Sequence, residues 1–295
     1  MINLLFTGND KIFEGLSVSL ISIVKHCKQP LNVHVLTMDL HELNPNYKPL
    51  TEDKVKILEK YIKDVNSESK IQLHDITSLF NEKNKDSANM ENSYSPYAFL
   101  RLLADEVDEI PDKILYLDID VVAGGDISKL YDYDVSDYDY GAVKDYYGKV
   151  FINPRYVNSG VMLLNMKRIR QNKMFAKCRE LVNTKKMMFP DQSALNKFAS
   201  KKLFLPSKFN SQMRDKENDI IRHFCKSIRW YPNFMRKSNP NNKYCQPMSK
   251  WFRLFHTINI KPWNIEAMHT KLKCYKYDDV IMRAKQFAED VNSVQ

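Results

Sequence analysis

The stretch Lys113-Ile114-Leu115-Tyr116-Leu117-Asp118-Ile119-Asp120 says most about the fold. Its apolar run, which ends at Leu117, has the length of one buried strand. Asp118 and Asp120 follow directly and, being two residues apart, point to the same side of the chain. Two like charges held so close at the end of a buried strand repel each other unless a cation lies between them. Oxygen ligands suit Mg²⁺ or Mn²⁺, so this stretch predicts a divalent-metal site.

Strand and helix patterns alternate on both sides of this stretch. The spacing predicts strands at 2–7, 31–37, 71–73, 138–143 and 157–165, and helices at 12–26, 51–65, 96–106, 168–183, 191–199 and 278–291. The polar segment 81–92 predicts a loop. Such alternation is typical of an α/β domain in which helices flank a mainly parallel sheet. Ligands of these sheets bind at the carboxyl ends of the strands, where Asp118 and Asp120 are placed.

The composition fits one large domain, or one domain with an appended lobe. Hydrophobic residues make up 43% of the 295 residues, enough for a sizeable core. No stretch approaches the about 18 uncharged apolar residues of a membrane span. The first six residues lack the basic region of a signal peptide and instead predict a strand. The five cysteines are scattered and form no CxxC pair, which argues against a zinc site or a disulfide framework and favours a cytoplasmic protein.

The net charge of +9 is unevenly distributed. The segment 201–276 carries seventeen Lys and Arg residues against four acidic residues, whereas the N-terminal half is closer to balance. A basic C-terminal lobe indicates an anionic partner, such as a nucleotide diphosphate, an acidic lipid surface, a phosphorylated glycan or a nucleic acid. A surface that only keeps the protein in solution is the alternative interpretation.

Seven short motifs follow one another over most of the chain. They are Leu4–Asp10 (LLFTGND), Phe99–Leu102 (FLRL), Ile114–Asp120 (ILYLDID), Gly141–Asp145 (GAVKD), Val157–Asn165 (VNSGVMLLN), Pro190–Asn196 (PDQSALN) and His256–Trp263 (HTINIKPW). In this order they resemble the motifs of the family 8 glycosyltransferases, which include glycogenin and bacterial lipopolysaccharide galactosyl- and glucosyltransferases. Each motif alone has little specificity, and the ordered series carries the resemblance.

The resemblance implies a GT-A-type fold, with a mainly parallel, Rossmann-like central sheet flanked by helices and a small basic C-terminal lobe. The expected catalytic domain is 1–265, with a nucleotide-binding half at 1–125 and a donor and acceptor half at 126–265. A helical extension is expected at 266–295. The implied activity is metal-dependent, retaining transfer of a hexose, galactose or glucose, from a UDP-sugar to a glycan, glycoprotein or glycolipid acceptor. Peripheral association with an anionic membrane through the basic lobe is a further expectation, and no nucleic-acid partner is expected.

The resemblance also implies which residues form the site. The metal ligands are Asp118, Asp120 and His256. The catalytic candidates are Asn158, Asp191 and Gln192. The candidates for binding the nucleotide sugar are Thr7, Asn9, Asp10, Arg101, Asp118, Ile119, Asp120, Asp145, Asn158, Ser159, Asp191, Gln192 and Lys261. Two carboxylates and one imidazole fit Mn²⁺ somewhat better than Mg²⁺.

Each implied role has a chemical reason. The leaving diphosphate needs a Lewis-acid metal, and Lys261 and Arg101 add positive charge where negative charge develops. The last motif has Asn259 where the family has Gly, and one residue fewer separates His256 from Lys261. A double displacement needs a carboxylate nucleophile, and no residue is marked as one by its spacing. The preferred mechanism is therefore a same-face, ion-pair-like substitution guided by the leaving phosphate. Asp191, which follows Pro190, also fits a helix N-cap.

Two other functions fit parts of the sequence. The segment Asp118–Val122 matches D-x-D-x-[TV], the nucleophile loop of haloacid-dehalogenase-like phosphatases, in which Asp118 would attack phosphate. Asp278 and Asp279 would then be the late acidic pair, but no strong apolar strand precedes them. A non-catalytic nucleic-acid-binding protein would suit the basic lobe. No helix-turn-helix, RRM or zinc-finger pattern supports that alternative.

Overall fold

The computed structural model describes residues 1–90, 95–212 and 218–224. The strands of this part are β1 (Ile2–Thr7), β2 (Leu31–Thr37), β3 (Lys70–Asp75), β4 (Lys113–Leu117), β5 (Val121–Ala123), β6 (Tyr140–Lys144), β7 (Val157–Asn165), β8 (Lys202–Phe204) and β9 (Ile221–His223). The α-helices are α1 (Phe13–His26), α2 (Glu52–Val65), α3 (Thr77–Asn84), α4 (Ser128–Tyr131), α5 (Gly148–Phe151), α6 (Met166–Gln171), α7 (Met174–Thr184) and α8 (Pro190–Phe198). Three 3₁₀ helices lie at Asp10–Ile12, Pro96–Glu106 and Ser207–Phe209.

Seven of these strands form one sheet in the order β3-β2-β1-β4-β7-β6-β8. The pairs β3–β2, β2–β1, β1–β4 and β6–β8 are parallel, and β7 runs antiparallel to both of its neighbours. The predicted α/β architecture with a mainly parallel sheet is therefore confirmed. Because β1 and β4 are adjacent and parallel, the loops that follow them meet at one edge of the sheet.

The central strands are buried because both faces of the sheet are covered. One face packs against α1 and α2, and Leu4, Phe6, Leu115 and Leu117 belong to that core. The other face packs against the 3₁₀ helix 96–106 and the helices α6 to α8, with Tyr116 among its residues. A fully buried leucine side chain contributes about 1.5–3 kcal/mol, so the apolar run before Asp118 helps to hold the sheet together.

A two-stranded sheet lies beside the central one. It consists of β5 and β9, which pair antiparallel with Val121 opposite His223. Strand β5 begins only three residues after Asp118, so this pairing brings a distant part of the chain to the end of β4. The predicted strand boundaries did not include β9.

Several predicted elements differ from those in the structure. The segment 81–92 was predicted as a loop, but α3 extends to Asn84 because Phe80 is completely buried and anchors it. The predicted helix 168–183 is interrupted between α6 and α7, where Lys173 adopts a left-handed conformation with φ of 54°. The helix predicted at 96–106 is a 3₁₀ helix.

Other predictions are not tested by the described residues. The helix at 278–291 and the extension 266–295 lie outside them. The division at residue 125 also stays a prediction. Within the described part of the chain, no helix combines the length and the apolar character needed to cross a bilayer.

Candidate active site at the carboxyl ends of β1 and β4

Asp118 and Asp120 lie in the short connection between β4 and β5. The Asp118 N–H donates to the carbonyl of Gly160 at 2.7 Å, which ties the end of β4 to β7. The carbonyl of Asp120 accepts from the N–H of Phe224 at 2.8 Å. Both backbones are thus fixed by neighbouring strands. The predicted position of the two acids, at the carboxyl end of the strand, is confirmed.

His223 completes a cluster with the two acids. Its Nε2 lies 3.0 Å from Asp120 Oδ1 and 3.7 Å from Asp118 Oδ2. The three donor atoms lie within 4.8 Å of one another. Burial alone would lower the pKa of His223, but the carboxylates of Asp120 and Asp118 raise it above its ordinary value. Two carboxylate oxygens and one imidazole nitrogen form a donor set that fits Mn²⁺ or Mg²⁺.

Asp118 is held through one of its two oxygens. Its Oδ1 accepts from Arg101 Nη2 at 2.8 Å and from the Tyr116 hydroxyl at 2.7 Å. Burial raises the pKa of Tyr116 well above its ordinary value, so its hydroxyl stays a neutral donor. The other oxygen, Oδ2, faces His223. One oxygen therefore fixes the side chain, and the second is directed into the cluster.

Arg101 lies behind the cluster and is only 6% exposed. Its guanidinium stacks on Tyr116 at 4.1 Å and donates to the Ser159 carbonyl at 2.7 Å. It also forms an ion pair of 3.4 Å with Asp191. Burial raises the pKa of Asp191, and the positive charge of Arg101 opposes that shift. Two carboxylates thus already balance the charge of Arg101, and its predicted contact with the nucleotide sugar stays a prediction.

Asn158, Asp145 and Gln192 form a polar group at the start of β7. Asn158 Nδ2 donates to Asp145 Oδ2 at 3.0 Å, and Gln192 Nε2 lies 3.4 Å from the same oxygen. Gln192 Oε1 accepts from the Ser159 backbone N–H at 3.0 Å. The structure therefore brings together four residues predicted for the donor site from motifs that are far apart in sequence.

Asp191 does not have the N-cap position that the sequence suggested as an alternative. The N-cap of α8 is Phe189, and Pro190 is the first residue of the helix. Asp191 lies in the first turn and is 7% exposed, with its carboxylate paired to Arg101. The N-cap lies two residues before Asp191 because proline fits the first position of a helix.

The opening loop places three predicted residues at the end of β1. The Thr7 hydroxyl is 3.4 Å from the Tyr116 hydroxyl, which connects it to Asp118. Asn9 caps the 3₁₀ helix 10–12 by accepting from the Lys11 N–H at 3.2 Å. Asp10 forms an ion pair of 2.5 Å with Lys54.

The side chain of Ile119, between Asp118 and Asp120, is partly buried and packs against the core.

Two predicted site residues, His256 and Lys261, lie outside the described residues, so their roles stay predictions.

Sequence reasoning missed His223. Its signal was the short apolar run Ile220-Ile221 just before it, which marks a strand that ends in a histidine. It also missed Asn210, whose side chain contacts the His223 ring.

Gly160 lies directly beneath the cluster. A Cβ atom at this position would be 2.1 Å from His223 Cε1 and 2.8 Å from Asp118 Oδ2. Real Cβ atoms essentially never approach other atoms so closely. The space between β7 and the cluster therefore requires glycine, which explains the small residue after Ser159.

Residues 3–267 match the family model described as Glycosyl transferase family 8. The chain belongs to this family. The match spans the seven motifs and confirms the resemblance. Family 8 membership indicates glycosyl transfer, and it favours that activity over the phosphatase and the nucleic-acid-binding alternatives.

Relatives in the family differ in length from this chain. A probable glycosyl transferase Gly of Streptococcus gordonii is 34% identical over 114 residues, covering 38% of this chain and 16% of the relative. A lipopolysaccharide 1,2-glucosyltransferase of Escherichia coli is 27% identical over 175 residues, covering 52% of this chain and 51% of the relative. The aligned part thus spans 16% of the first relative and about half of the second.

Solved structures share the GT-A fold of this family 8 chain. The galactosyltransferase LgtC, crystallised with donor and acceptor sugar analogues, superimposes with a TM-score of 0.58. It is 19% identical, and the match covers 78% of this chain and 90% of LgtC. The glycosyltransferase GlyE of Streptococcus pneumoniae TIGR4 has a TM-score of 0.56 at 18% identity, covering 76% of this chain and 55% of GlyE. The predicted GT-A-type fold is confirmed.

Proposed function

We propose that this family 8 protein is a metal-dependent, retaining hexosyltransferase. It moves galactose or glucose from a UDP-sugar to a glycan, glycoprotein or glycolipid acceptor. The observation that carries the proposal is the cluster of Asp118, Asp120 and His223 at the carboxyl ends of the strands. The polar group formed by Asn158 on β7 with Asp145 and Gln192 supports a sugar site beside it.

Asp118 Oδ2, Asp120 Oδ1 and His223 Nε2 are the atoms that would hold the metal. A divalent ion bound there acts as a Lewis acid and balances the charge of a diphosphate. The imidazole in the donor set favours Mn²⁺ somewhat over Mg²⁺. Because Arg101 and Tyr116 hold the first oxygen of Asp118, its second oxygen is oriented in advance and need not be ordered on binding.

The sugar of the donor is proposed to lie over β7. Asp145 and Asn158 offer an acceptor and donors for hydroxyl groups, and the Gln192 amide lies next to them. The two carboxylates nearest this group are the partly buried Asp145 and the buried Asp191, and both are engaged, the first by Asn158 and the second by Arg101. Neither is presented as an unpaired nucleophile, which supports the same-face substitution over a double displacement.

The leaving diphosphate needs a positively charged side chain in addition to the metal. The charge of Arg101 is already balanced by Asp118 and Asp191. Lys261 is therefore the favoured candidate to neutralise the phosphate, because it lies in a predicted motif of the basic lobe. Association of that lobe with an anionic membrane, and a cytoplasmic location, stay predictions without support from the described residues.

A donor-hydrolysis assay tests this function. Purified protein is incubated with UDP-glucose and separately with UDP-galactose, with Mn²⁺ or with EDTA, and free UDP is measured. We expect slow, metal-dependent release of UDP from one of the two donors without acceptor, and retention of the anomeric configuration in the released sugar. Hydrolysis of p-nitrophenyl phosphate without any turnover of a sugar nucleotide would overturn the proposal in favour of a phosphatase.

A further inference from the structure

Asn210 is a buried amide that connects the two halves of the candidate site. It follows the 3₁₀ helix 207–209 and is 1% exposed. Its Oδ1 lies 3.1 Å from His223 Nδ1, and its Nδ2 donates to Asn158 Oδ1 at 2.9 Å. One side chain thus touches both a candidate metal ligand and a candidate donor-site residue.

The orientation of the Asn158 amide follows from its neighbours. The Gly160 backbone N–H donates to Asn158 Oδ1 at 3.0 Å, and a backbone N–H can only donate. The atom that faces it must therefore be the carbonyl oxygen. The other end of the amide faces the Asp145 carboxylate at 3.0 Å, which accepts when ionised. Both ends require the same orientation of Asn158.

This orientation determines that of Asn210. Because Asn158 presents an oxygen, Asn210 must present its NH₂ group to it. The Asn210 carbonyl then faces His223 Nδ1 and can only accept a hydrogen bond. The His223 ring therefore carries a proton on Nδ1, and Nε2, which faces the two acids, is the nitrogen left to bind a metal.

We infer that Asn210 is a positioning residue of the metal centre. Its carbonyl fixes the orientation of the His223 ring and keeps the proton on Nδ1, so that Nε2 is available as a ligand. A hydrogen-bond partner on the second ring nitrogen is the usual way in which proteins orient a ligating histidine. The inference rests on the proposed metal dependence. It also gives Asn158 a part in the metal centre, through Asn210, in addition to any contact with the sugar.

The experiment measures Mn²⁺ affinity by the EPR signal of free Mn²⁺, without sugar nucleotide or acceptor. Asn210→Leu keeps a similar volume but removes the acceptor, and Asn210→Asp keeps an acceptor beside Nδ1. We expect Asn210→Leu to weaken Mn²⁺ binding about 10- to 100-fold, and Asn210→Asp, which keeps the acceptor but loses the donor to Asn158, to weaken it less. Asn165→Leu, which changes a buried asparagine at the far end of β7, is the matched control and should bind Mn²⁺ normally.

A double-mutant cycle separates positioning from general destabilisation. In a His223→Ala background, Asn210→Leu should cause no further loss of Mn²⁺ affinity. An equal loss in both backgrounds, or wild-type affinity in Asn210→Leu, would overturn the inference. If the Asn210 variants change Mn²⁺ affinity as expected but the protein transfers no sugar, only the proposed glycosyltransferase activity is overturned. If the wild-type protein binds no Mn²⁺, both the proposed metal-dependent activity and the role of Asn210 are overturned.

Wild-type protein provides a test that does not depend on a variant folding. In Mg²⁺-saturated protein labelled with ¹⁵N-histidine, the ring nitrogens of His223 are assigned by comparison with His223→Ala. We expect the proton on Nδ1 and none on Nε2. A proton on Nε2 in the metal-loaded protein would overturn the inference.

Discussion

Asp120 lies in the turn just before β5 and His223 ends β9, and their side chains meet with Nε2 3.0 Å from Oδ1. Strand β9 brings the histidine there by pairing with β5, which starts directly after Asp120. The imidazole side chain is 3% exposed, and its burial opposes the rise in its pKa that the two acids cause. The candidate metal cluster therefore depends on the correct pairing of a short, two-stranded sheet.

UDP should stabilise the protein only together with a divalent metal. The diphosphate and the pair Asp118 and Asp120 are all negative and need a shared cation. We expect UDP with Mn²⁺ or Mg²⁺ to raise the Tm measured by differential scanning fluorimetry, and UDP with EDTA to have no effect. Equal stabilisation in EDTA would argue against a site in which metal bridges the phosphates.

Asp120→Asn should abolish glycosyl transfer while leaving the fold intact. The change removes one charged ligand of the cluster but keeps the size of the side chain. Activity is measured by UDP release in the presence of acceptor or water, and folding by circular dichroism. Near-normal turnover in a folded Asp120→Asn protein would remove this carboxylate from the mechanism.

Gly160→Ala should disable the site without removing a ligand. The added Cβ would overlap His223 Cε1 and crowd Asp118 Oδ2, so the ring has to move. We expect Mn²⁺ affinity to fall about 10-fold or more, as for loss of a histidine-orienting contact. Gly125→Ala is the matched control, because its Cβ would meet Ile220 at an ordinary 3.4 Å. Equal Mn²⁺ affinity in both variants would contradict the close packing described for Gly160.

Stability should fall as the pH falls from about 6.5 to about 4, partly through His34. Burial, together with the neighbouring His74 and Lys70, lowers the pKa of His34 to about 4. The unfolded state then binds the extra proton between these values, so the free energy of unfolding rises with pH across that window.

The variant His34→Gln tests this pH dependence by urea unfolding in EDTA. It should lose less stability than wild type between pH 6.5 and pH 4, by up to about 3 kcal/mol. His41→Gln, which changes an exposed histidine, should follow the wild-type curve. Parallel curves for His34→Gln and wild type would show that this histidine does not carry the effect.

Three substitutions compare the predicted last motif with the observed cluster. If Lys261 reaches the diphosphate, Lys261→Ala should lower kcat roughly 10²-fold, since its charge acts mainly as the leaving group becomes more anionic. His223→Ala should raise the Mn²⁺ concentration needed for activity, because it removes a donor atom of the cluster. His256→Ala gives the same metal dependence only if His256 is also a ligand. A silent Lys261→Ala would assign the neutralising charge to another residue of the basic lobe.

Local pattern in the sequence determined much of the fold and part of the site. The apolar run before Asp118 predicted β4, and the alternation of strands and helices predicted the α/β sheet. The boundaries of β1, β2 and β7 were predicted as they occur. These features could be predicted because the burial of one face of a helix or strand produces a regular pattern of apolar residues along the sequence. The predicted loop at 81–92 was wrong at 81–84, because one buried side chain, Phe80, extends α3 through a contact with the rest of the core.

Only the tertiary structure decided which distant residues share the site. The pairing of β5 with β9 brings His223 and Asn210 close to Asp118. No local pattern of apolar residues in the sequence predicts that pairing. The ion pairs of Arg101 with Asp118 and Asp191 likewise unite three segments of the chain. Such contacts form because the complete core fixes all three backbones at once, and their geometry depends on long-range packing that a short stretch of sequence does not contain.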